Sequence, residues 1–185
     1  MNGSYPSFYY NSTQNVTLGS NSTISLTQPA TMFIVLQPVG TASFQGVIDG
    51  TDGTNRWYSF IFFPTTTTPN YRIFAGATLT ETTNMVTATP TVYSQYFNTT
   101  TSTIFRNGTS NASGTVGTLN CTGITVGSRF TQNTETFQGH IAEVIYYQRL
   151  LTTQERQQVE GYLAWKWGLS NNLASNHPYR RISPV

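Results

Sequence analysis

Short runs of apolar residues separated by polar turns make up most of the chain. Residues 31–39, TMFIVLQPV, are continuously apolar up to a proline, and their β-branched residues favour a strand buried on both faces. Further runs at 57–63, 71–74 and 137–150 are rich in aromatic and β-branched residues, which is typical of strands. The pattern therefore predicts many short strands and no alternation of strands with helices.

Two turns have a clear local signal. Residues 49–55, DGTDGTN, separate two apolar runs, and their Gly and Asp residues tolerate the positive φ angles that a hairpin connection needs. Asn107 and Gly108 follow the β-favouring segment TSTIF, and Asn-Gly is the preferred type I′ hairpin turn. Both signals predict antiparallel pairing of the strands on either side.

The period of the pattern becomes helical only after residue 151. Thr152 and Glu155 have the spacing of a capping box, in which each side chain bonds the backbone N–H of the other residue. One apolar stripe follows, formed by Val159, Leu163 and Trp167. Gly168 stands where a glycine commonly ends a helix. We therefore expect one helix over residues 152–168.

A chain of 185 residues is expected to form one domain. Its pattern predicts an all-β, two-sheet antiparallel jelly-roll sandwich with one C-terminal α-helix. The expected parts are a polar N-terminal arm with one or two short strands around Val16, Leu18, Ile24 and Leu26, the sandwich, the helix and an extended tail. Their boundaries are 1–28, 29–150, 152–168 and 169–185.

Charge and composition exclude several classes of function. Nine basic and seven acidic residues give a net charge of +2, and no run of Lys or Arg marks a surface for nucleic acid or anionic lipid. No apolar run approaches the roughly 18 residues of a membrane span. The first residues lack the features of a signal peptide, so we expect either a particle component or a module of a longer protein. A surface of Thr, Ser and Asn suits extracellular proteins and assembled particles.

The C-terminal part resembles the concanavalin A-like (laminin G-like) jelly-roll modules. The resemblance rests on the strand segment FQGHIAEVIYYQRL, the helical segment ERQQVEGYLAWKWGL and the segment LASNHPY, within residues 137–179. The segments IFRNG and ITVGSRF resemble the hairpin and strand before them. The resemblance implies two antiparallel sheets packed face to face. Such modules occur in secreted bacterial proteins, phage tails and fibres, and structural proteins of large viruses, and carbohydrate binding is the function assigned to many of them.

The resemblance implies a non-catalytic glycan-binding or adhesion module on a virion surface or outside the cell, with a host surface glycan as partner. The alternative is a structural capsid, fibre or tail module that binds other protein subunits. Aromatic rings offer sugars a flat face, and amides and guanidinium groups add hydrogen bonds. The predicted ligand-binding residues are Asn55, Arg56, Trp57, Tyr58, Tyr71 and Arg72. Packing in the core is the alternative for each aromatic residue, and alternation allows only one of the neighbours Trp57 and Tyr58 to be core.

A calcium site is a second expectation from the segment DGTDGTN. Asp49, Asp52 and Asn55 are oxygen donors, and calcium takes six to eight oxygen ligands. The spacing differs from that of an EF-hand, and a hairpin turn explains the same residues. Both interpretations stay open at this point, and no other cofactor is expected.

No catalytic residue is predicted. A retaining glycosidase needs two carboxylates about 5 Å apart, and Glu143 is the single acid of its strand. We interpret Glu143 as a hydrogen-bond acceptor where the helix meets the sheet, and His177 as a packing or capping residue. Glycoside hydrolysis is kept as a minor alternative, which activity on laminarin-type glucans lost in Glu143→Gln would revive.

Overall fold

The computed structural model describes residues 8–10, 21–40, 42, 44–62, 69–130 and 135–184. The strands are β1 (Phe8–Tyr10), β2 (Asn21–Leu26), β3 (Ala30–Pro38), β4 (Phe44–Asp49), β5 (Tyr58–Phe62), β6 (Asn70–Phe74), β7 (Thr78–Thr80), β8 (Thr91–Phe97), β9 (Ser102–Arg106), β10 (Thr109–Gly114), β11 (Cys121–Val126) and β12 (Gly139–Tyr147). The helices are α1 (Thr153–Lys166) and two short 3-10 helices, Thr99–Thr101 and Ser170–Asn172. Of the positions predicted to form N-terminal strands, Ile24 and Leu26 lie in β2, and Val16 and Leu18 fall outside the described residues. Among the helices described, none has the length and apolar character to cross a bilayer.

The strands form two six-stranded sheets. Sheet A has the order β1-β12-β3-β8-β9-β10, and sheet B has the order β2-β11-β4-β5-β6-β7. All neighbouring strands within each sheet are antiparallel. The two sheets pack face to face over one apolar cluster. The prediction of an all-β, two-sheet antiparallel sandwich with a C-terminal α-helix is confirmed.

Strand β3 is buried on both faces, as its apolar run predicts. Ile34 and Leu36 belong to the apolar cluster between the sheets. The alternate residues Phe33 and Val35 belong to a second cluster with Leu163 and other residues of α1 and the segment after it. The helix therefore covers the outer face of sheet A, which explains why this strand lacks polar alternation.

Both ends of α1 have the predicted capping. Thr152 and Glu155 form the capping box, with each side chain accepting a hydrogen bond from the backbone N–H of the other. At the C-terminal end Gly168 has a φ of +69°. The N–H of Leu169 donates to the carbonyl of Ala164 at 2.6 Å and that of Gly168 to Trp165 at 3.3 Å, which is the Schellman pattern.

Glu143 lies where the helix meets the sheet, as interpreted from the sequence. Its carboxylate accepts a hydrogen bond from the indole N–H of Trp167 at 2.8 Å and lies 2.9 Å from the ammonium of Lys166. The donors are thus an indole and a lysine. The contact joins β12 to the last turn of α1.

The β9–β10 hairpin is fixed against the segment that follows α1. Its turn is Asn107-Gly108, as predicted, and both residues have positive φ. The carbonyl of Asn107 accepts a hydrogen bond from the N–H of Ala174 at 3.0 Å. A Cβ on Gly108 would lie 2.5 Å from the ring of His177, so the close approach requires glycine. These contacts hold the hairpin and the tail together on one side of the sandwich.

Candidate functional site

Two of the predicted ligand-binding aromatic residues lie in the core between the sheets. Trp57 is 2% exposed and stacks on Phe97 with ring centroids 4.7 Å apart. Tyr71 is fully buried and stacks on Tyr93 at 4.0 Å. Neither ring offers a face to a sugar, which corrects the prediction for these two positions in favour of core packing.

Arg56 is also buried, and this corrects a third predicted position. Its guanidinium donates to the carboxylate of Asp49 at 3.2 Å, with both side chains at most 8% exposed. It lies over the ring of Phe130 at 4.8 Å. Burial raises the pKa of Asp49 to about 6, although Arg56 acts to lower it. This pair ties the 49–55 turn to the segment after β11.

The predicted calcium donors do not fit a calcium ion. One carboxylate oxygen of Asp49 accepts from the N–H of Gly50, and the other accepts from Arg56 and from the N–H of Phe130. The guanidinium of Arg56 therefore lies where a calcium ion would have to approach the Asp49 carboxylate. Asp52 instead accepts from the N–H of Thr54 and from the amide of Asn55, the pattern of a local turn. No cluster of three or more His, Cys, Asp or Glu side chains in the described ranges is arranged to hold a metal.

The remaining predicted residues have separate surroundings. Arg72 alternates with the buried Tyr71, so it lies on the outer face of sheet B, where it donates to Asn70 at 2.7 Å and lies 5.9 Å from the ring of Phe60. Asn55 is exposed in the turn with Asp52. Tyr58 begins β5, and its side chain lies outside the described part of the structure.

A polar cleft of about 380 Å³ lies beside the β9–β10 hairpin, in a different part of the sandwich. Its volume is near the lower end of the range for small-molecule sites, roughly 300–1,000 Å³. Eight of its nine lining residues have polar side chains. The lining residues are Thr82, Thr83, Arg106, Asn107, Thr109, Ser110, Asn111, Asn172 and Ala174. They come from the segment after β7, from β9–β10 and from the segment after α1.

Asn111 joins two walls of the polar cleft. Its side-chain oxygen accepts from the N–H of Thr82 at 2.9 Å and from that of Thr83 at 3.3 Å. Its amide nitrogen donates to the hydroxyl of Thr83 at 2.8 Å. The Thr82 hydroxyl in turn donates to the carbonyl of Asn111 at 2.6 Å. These bonds fix the side chains of Thr82, Thr83 and Asn111, so this part of the cleft is preformed.

Arg106 carries the positive charge of the polar cleft. It donates to the carbonyl of Asn84 at 3.0 Å and to the hydroxyl of Thr83. The carboxylate of Glu81 lies behind Arg106, 3.5 Å from its guanidinium, and Glu81 is 4% exposed. The same carboxylate accepts hydrogen bonds from the backbone N–H of Tyr71 and the hydroxyl of Tyr93. Burial raises the pKa of Glu81 to about 7.

The raised pKa of Glu81 predicts a dependence of stability on pH. A raised pKa means that the folded chain holds this proton more tightly than the unfolded chain, so stability falls as pH rises from about 4.5 to about 7. We expect Glu81→Gln to lose less stability than the wild type between about pH 4.5 and about pH 7. Urea unfolding at both pH values measures this. Equal losses in the two proteins would contradict the assignment to Glu81.

Sequence reasoning did not find the polar cleft. The Asn107-Gly108 turn was a local signal for the hairpin, but nothing local marked Thr83, Arg106 or Asn111 as neighbours. They meet because the segment after β7 crosses to β9 and β10 of the other sheet. The signal that could have found them is the concentration of hydroxyl and amide residues on both sides of the Asn107-Gly108 turn.

The two-sheet sandwich shares its fold with several solved structures. No family model matches the chain, and no curated protein matches it. Among solved structures, it resembles a heptameric SAP-like pentraxin from Limulus polyphemus, at 9% identity and a TM-score of 0.57, over 78% of this chain and 72% of that one. It also resembles the IT-sialidase CBM40 of Ruminococcus gnavus, bound to α2,3-sialyllactose, at 13% identity and a TM-score of 0.55, over 76% of this chain and 97% of that one.

A sialidase from Trypanosoma rangeli is a third match, at 12% identity and a TM-score of 0.57. The match covers 75% of this chain and only 23% of that one. The TM-scores, all above 0.5, show a shared fold. Among these matches that fold belongs to a carbohydrate-binding module and to part of a sialidase.

Proposed function

We propose that the chain is a non-catalytic glycan-binding module of a virion or cell-surface protein, and that the polar cleft holds the glycan. The observation that carries the proposal is a preformed cleft lined by hydroxyls, amides and one guanidinium, on a fold shared with a CBM40 bound to a sialylated sugar. Sugar hydroxyls both donate and accept hydrogen bonds, and these side chains offer both. An extracellular or virion-surface location would bring such a cleft to its ligand.

The partners of the acidic residues support a role without catalysis. The chain has seven acidic residues, all within the described ranges. Six are paired with a basic side chain: Asp49, Glu81, Glu135, Glu143, Glu155 and Glu160. The seventh, Asp52, accepts hydrogen bonds within its own turn. A retaining glycosidase needs two carboxylates that act together across the scissile bond, and these pairings favour structural roles.

Binding of a glycan should depend on Asn111 and Thr83. We expect Asn111→Ala to lower the affinity for a glycan identified on an array by roughly tenfold or more, because two walls of the cleft lose their shared hydrogen bonds. Thr83→Val keeps the shape and removes the hydroxyl, so it should weaken binding as well. Titration calorimetry with the array ligand measures both losses.

A matched control separates binding from folding. Asn55→Ala removes an exposed asparagine outside the cleft, whose side chain bonds Asp52 in its own turn, and should leave the affinity unchanged. A glycan array without any bound glycan would refute the proposed function. Unchanged affinity in both cleft variants would place the glycan elsewhere on the chain.

An apolar groove favours a second candidate function, a structural capsid, fibre or tail module that binds other protein subunits. The groove has about 280 Å³ and lies between β12 and α1. It is lined by Ile145, Tyr147, Gln158, Val159, Tyr162 and Pro184. Tyr162 is 37% exposed and Trp165, on the same helix, is 41% exposed. Exposed aromatic side chains of this kind are common at protein interfaces.

The second candidate predicts assembly that depends on the groove. In light scattering the wild type should associate with itself or with virion proteins, and Tyr162→Ser should weaken the association. A chain that is strictly monomeric and has no affinity for virion proteins would exclude this function.

A further inference from the structure

The polar cleft has a surplus of hydrogen-bond donors around Thr83. A hydroxyl has one O–H donor and two acceptor lone pairs. The Thr83 oxygen accepts from the guanidinium of Arg106 and from the amide of Asn111. Both acceptor positions are thus filled by protein donors, and the hydroxyl hydrogen is left to bond an acceptor outside this group.

Arg106 adds further donors at the same place. A guanidinium has five N–H donors. Arg106 donates to the carbonyl of Asn84 and to the Thr83 hydroxyl, has Glu81 at 3.5 Å and also interacts with the Tyr93 hydroxyl. The side chain is 21% exposed, so part of it faces the cleft and solvent. The group that best complements these donors is one that only accepts, such as a carboxylate.

The charge of Arg106 is compensated from one side only, by Glu81. Among the described residues, the Glu81 carboxylate faces the guanidinium of Arg106 on β9, the hydroxyl of Tyr93 on β8 and the backbone N–H of Tyr71 on β6. Because burial raises the pKa of Glu81 to about 7, a substantial fraction of molecules near neutral pH has a neutral Glu81 beside a charged Arg106.

We propose that the polar cleft selects sugars that carry a carboxylate, which Arg106 and the Thr83 hydroxyl bind together. This inference rests on the proposed function and adds the chemical class of the ligand. Arg106 supplies the charge, Thr83 supplies the second donor, and Asn111 positions Thr83. Glu81 positions Arg106 from behind and sets how strongly its charge acts on the ligand.

The arrangement fixes the direction of the pH dependence. A bound carboxylate repels the ionised form of Glu81 and so favours its protonated form. The protonated form therefore binds the acidic sugar more tightly. Affinity for an acidic sugar should rise as pH falls from about 8 to about 6, on either side of the Glu81 pKa of about 7, while affinity for an uncharged sugar should stay constant.

The test uses three methyl glycosides, those of glucuronic, galacturonic and N-acetylneuraminic acid, each paired with its uncharged methyl ester. Binding to the full chain is followed by NMR titration at about pH 6 and about pH 8, the two sides of the Glu81 pKa. We expect at least one acid to bind roughly tenfold tighter than its ester, as for a hydrogen bond to a charged group. Arg106→Gln should abolish this preference, and Arg149→Gln, which changes an exposed arginine outside the cleft, should keep it.

Two further variants guard against a folding defect in Arg106→Gln. The double variant Glu81→Gln/Arg106→Gln removes both charges of the pair and should likewise show no preference for the acid. Glu81→Gln alone leaves Arg106 uncompensated, so affinity for the acid at about pH 8 should rise roughly fivefold and become independent of pH.

The outcomes separate this inference from the proposed function. If no acid binds more tightly than its ester, the acidic class is wrong. If Arg106→Gln keeps the preference, the carboxylate does not bind at Arg106 and the inference is overturned. Binding of uncharged glycans would then still support the proposed function. If no acidic or neutral glycan binds at all, both proposals fail.

Discussion

Replacing Trp57 with alanine is expected to lower the free energy of unfolding by about 3–5 kcal/mol, the range for a large aromatic residue removed from a core. The ring is 2% exposed, stacks on Phe97 with an interplanar angle of 9°, and donates its indole N–H to the carbonyl of Leu119 at 2.5 Å. Alanine loses the stacking and the indole hydrogen bond and leaves a cavity. Urea unfolding followed by circular dichroism measures the loss.

Trp165→Ala is the matched control for this prediction. Trp165 is 41% exposed, and its indole N–H donates to the carbonyl of Tyr179, so its loss should cost clearly less. If Trp57→Ala kept the stability of the wild type but lost glycan binding, Trp57 would be a ligand residue and the core assignment would be wrong.

Glu160→Gln is expected to cost about 3–5 kcal/mol, because it breaks a buried ion pair from one side. The Glu160 carboxylate is fully buried and bonds the guanidinium of Arg156, the hydroxyl of Ser94 and the ring of His177. The other ring nitrogen of His177 accepts from the N–H of Tyr179, so the nitrogen facing Glu160 is the one that donates. The neutral amide would leave the Arg156 guanidinium, 6% exposed, without its carboxylate.

The control here is Glu155→Gln on the same helix. Glu155 pairs with Arg149 at an exposed position, so a smaller loss is expected. Thermal unfolding of the two variants, recorded with the wild type at one pH, compares them directly. Equal losses would contradict the assignment of Glu160 as the buried centre that joins α1, β8 and the tail.

The sequence predicted the elements that depend on local pattern. The capping box at Thr152 and Glu155, the Asn107-Gly108 turn and the doubly buried strand at residues 31–39 are all confirmed. Each is determined by neighbouring residues or by the apolar character of one strand. Such features are visible in the sequence because their physical causes act within a few residues.

The candidate site depended on information that the sequence does not contain locally. Alternation showed that only one of Trp57 and Tyr58 could be core, but not which one. Nothing in the sequence around Arg56 indicates that it forms a buried ion pair with Asp49. The polar cleft needs contacts between residues 28 positions apart, such as Thr83 with Asn111, and these follow only from the order of the strands.

The central claim, that a glycan binds in the polar cleft, is tested most directly by mapping amide chemical shifts with a bound glycan. Titration of the ¹⁵N-labelled chain with an array ligand should move the signals of Thr82, Thr83, Arg106 and Asn111, while those of the 49–55 turn stay fixed. Saturating shifts confined to the 49–55 turn and to Arg72, with the cleft signals unmoved, would contradict the claim.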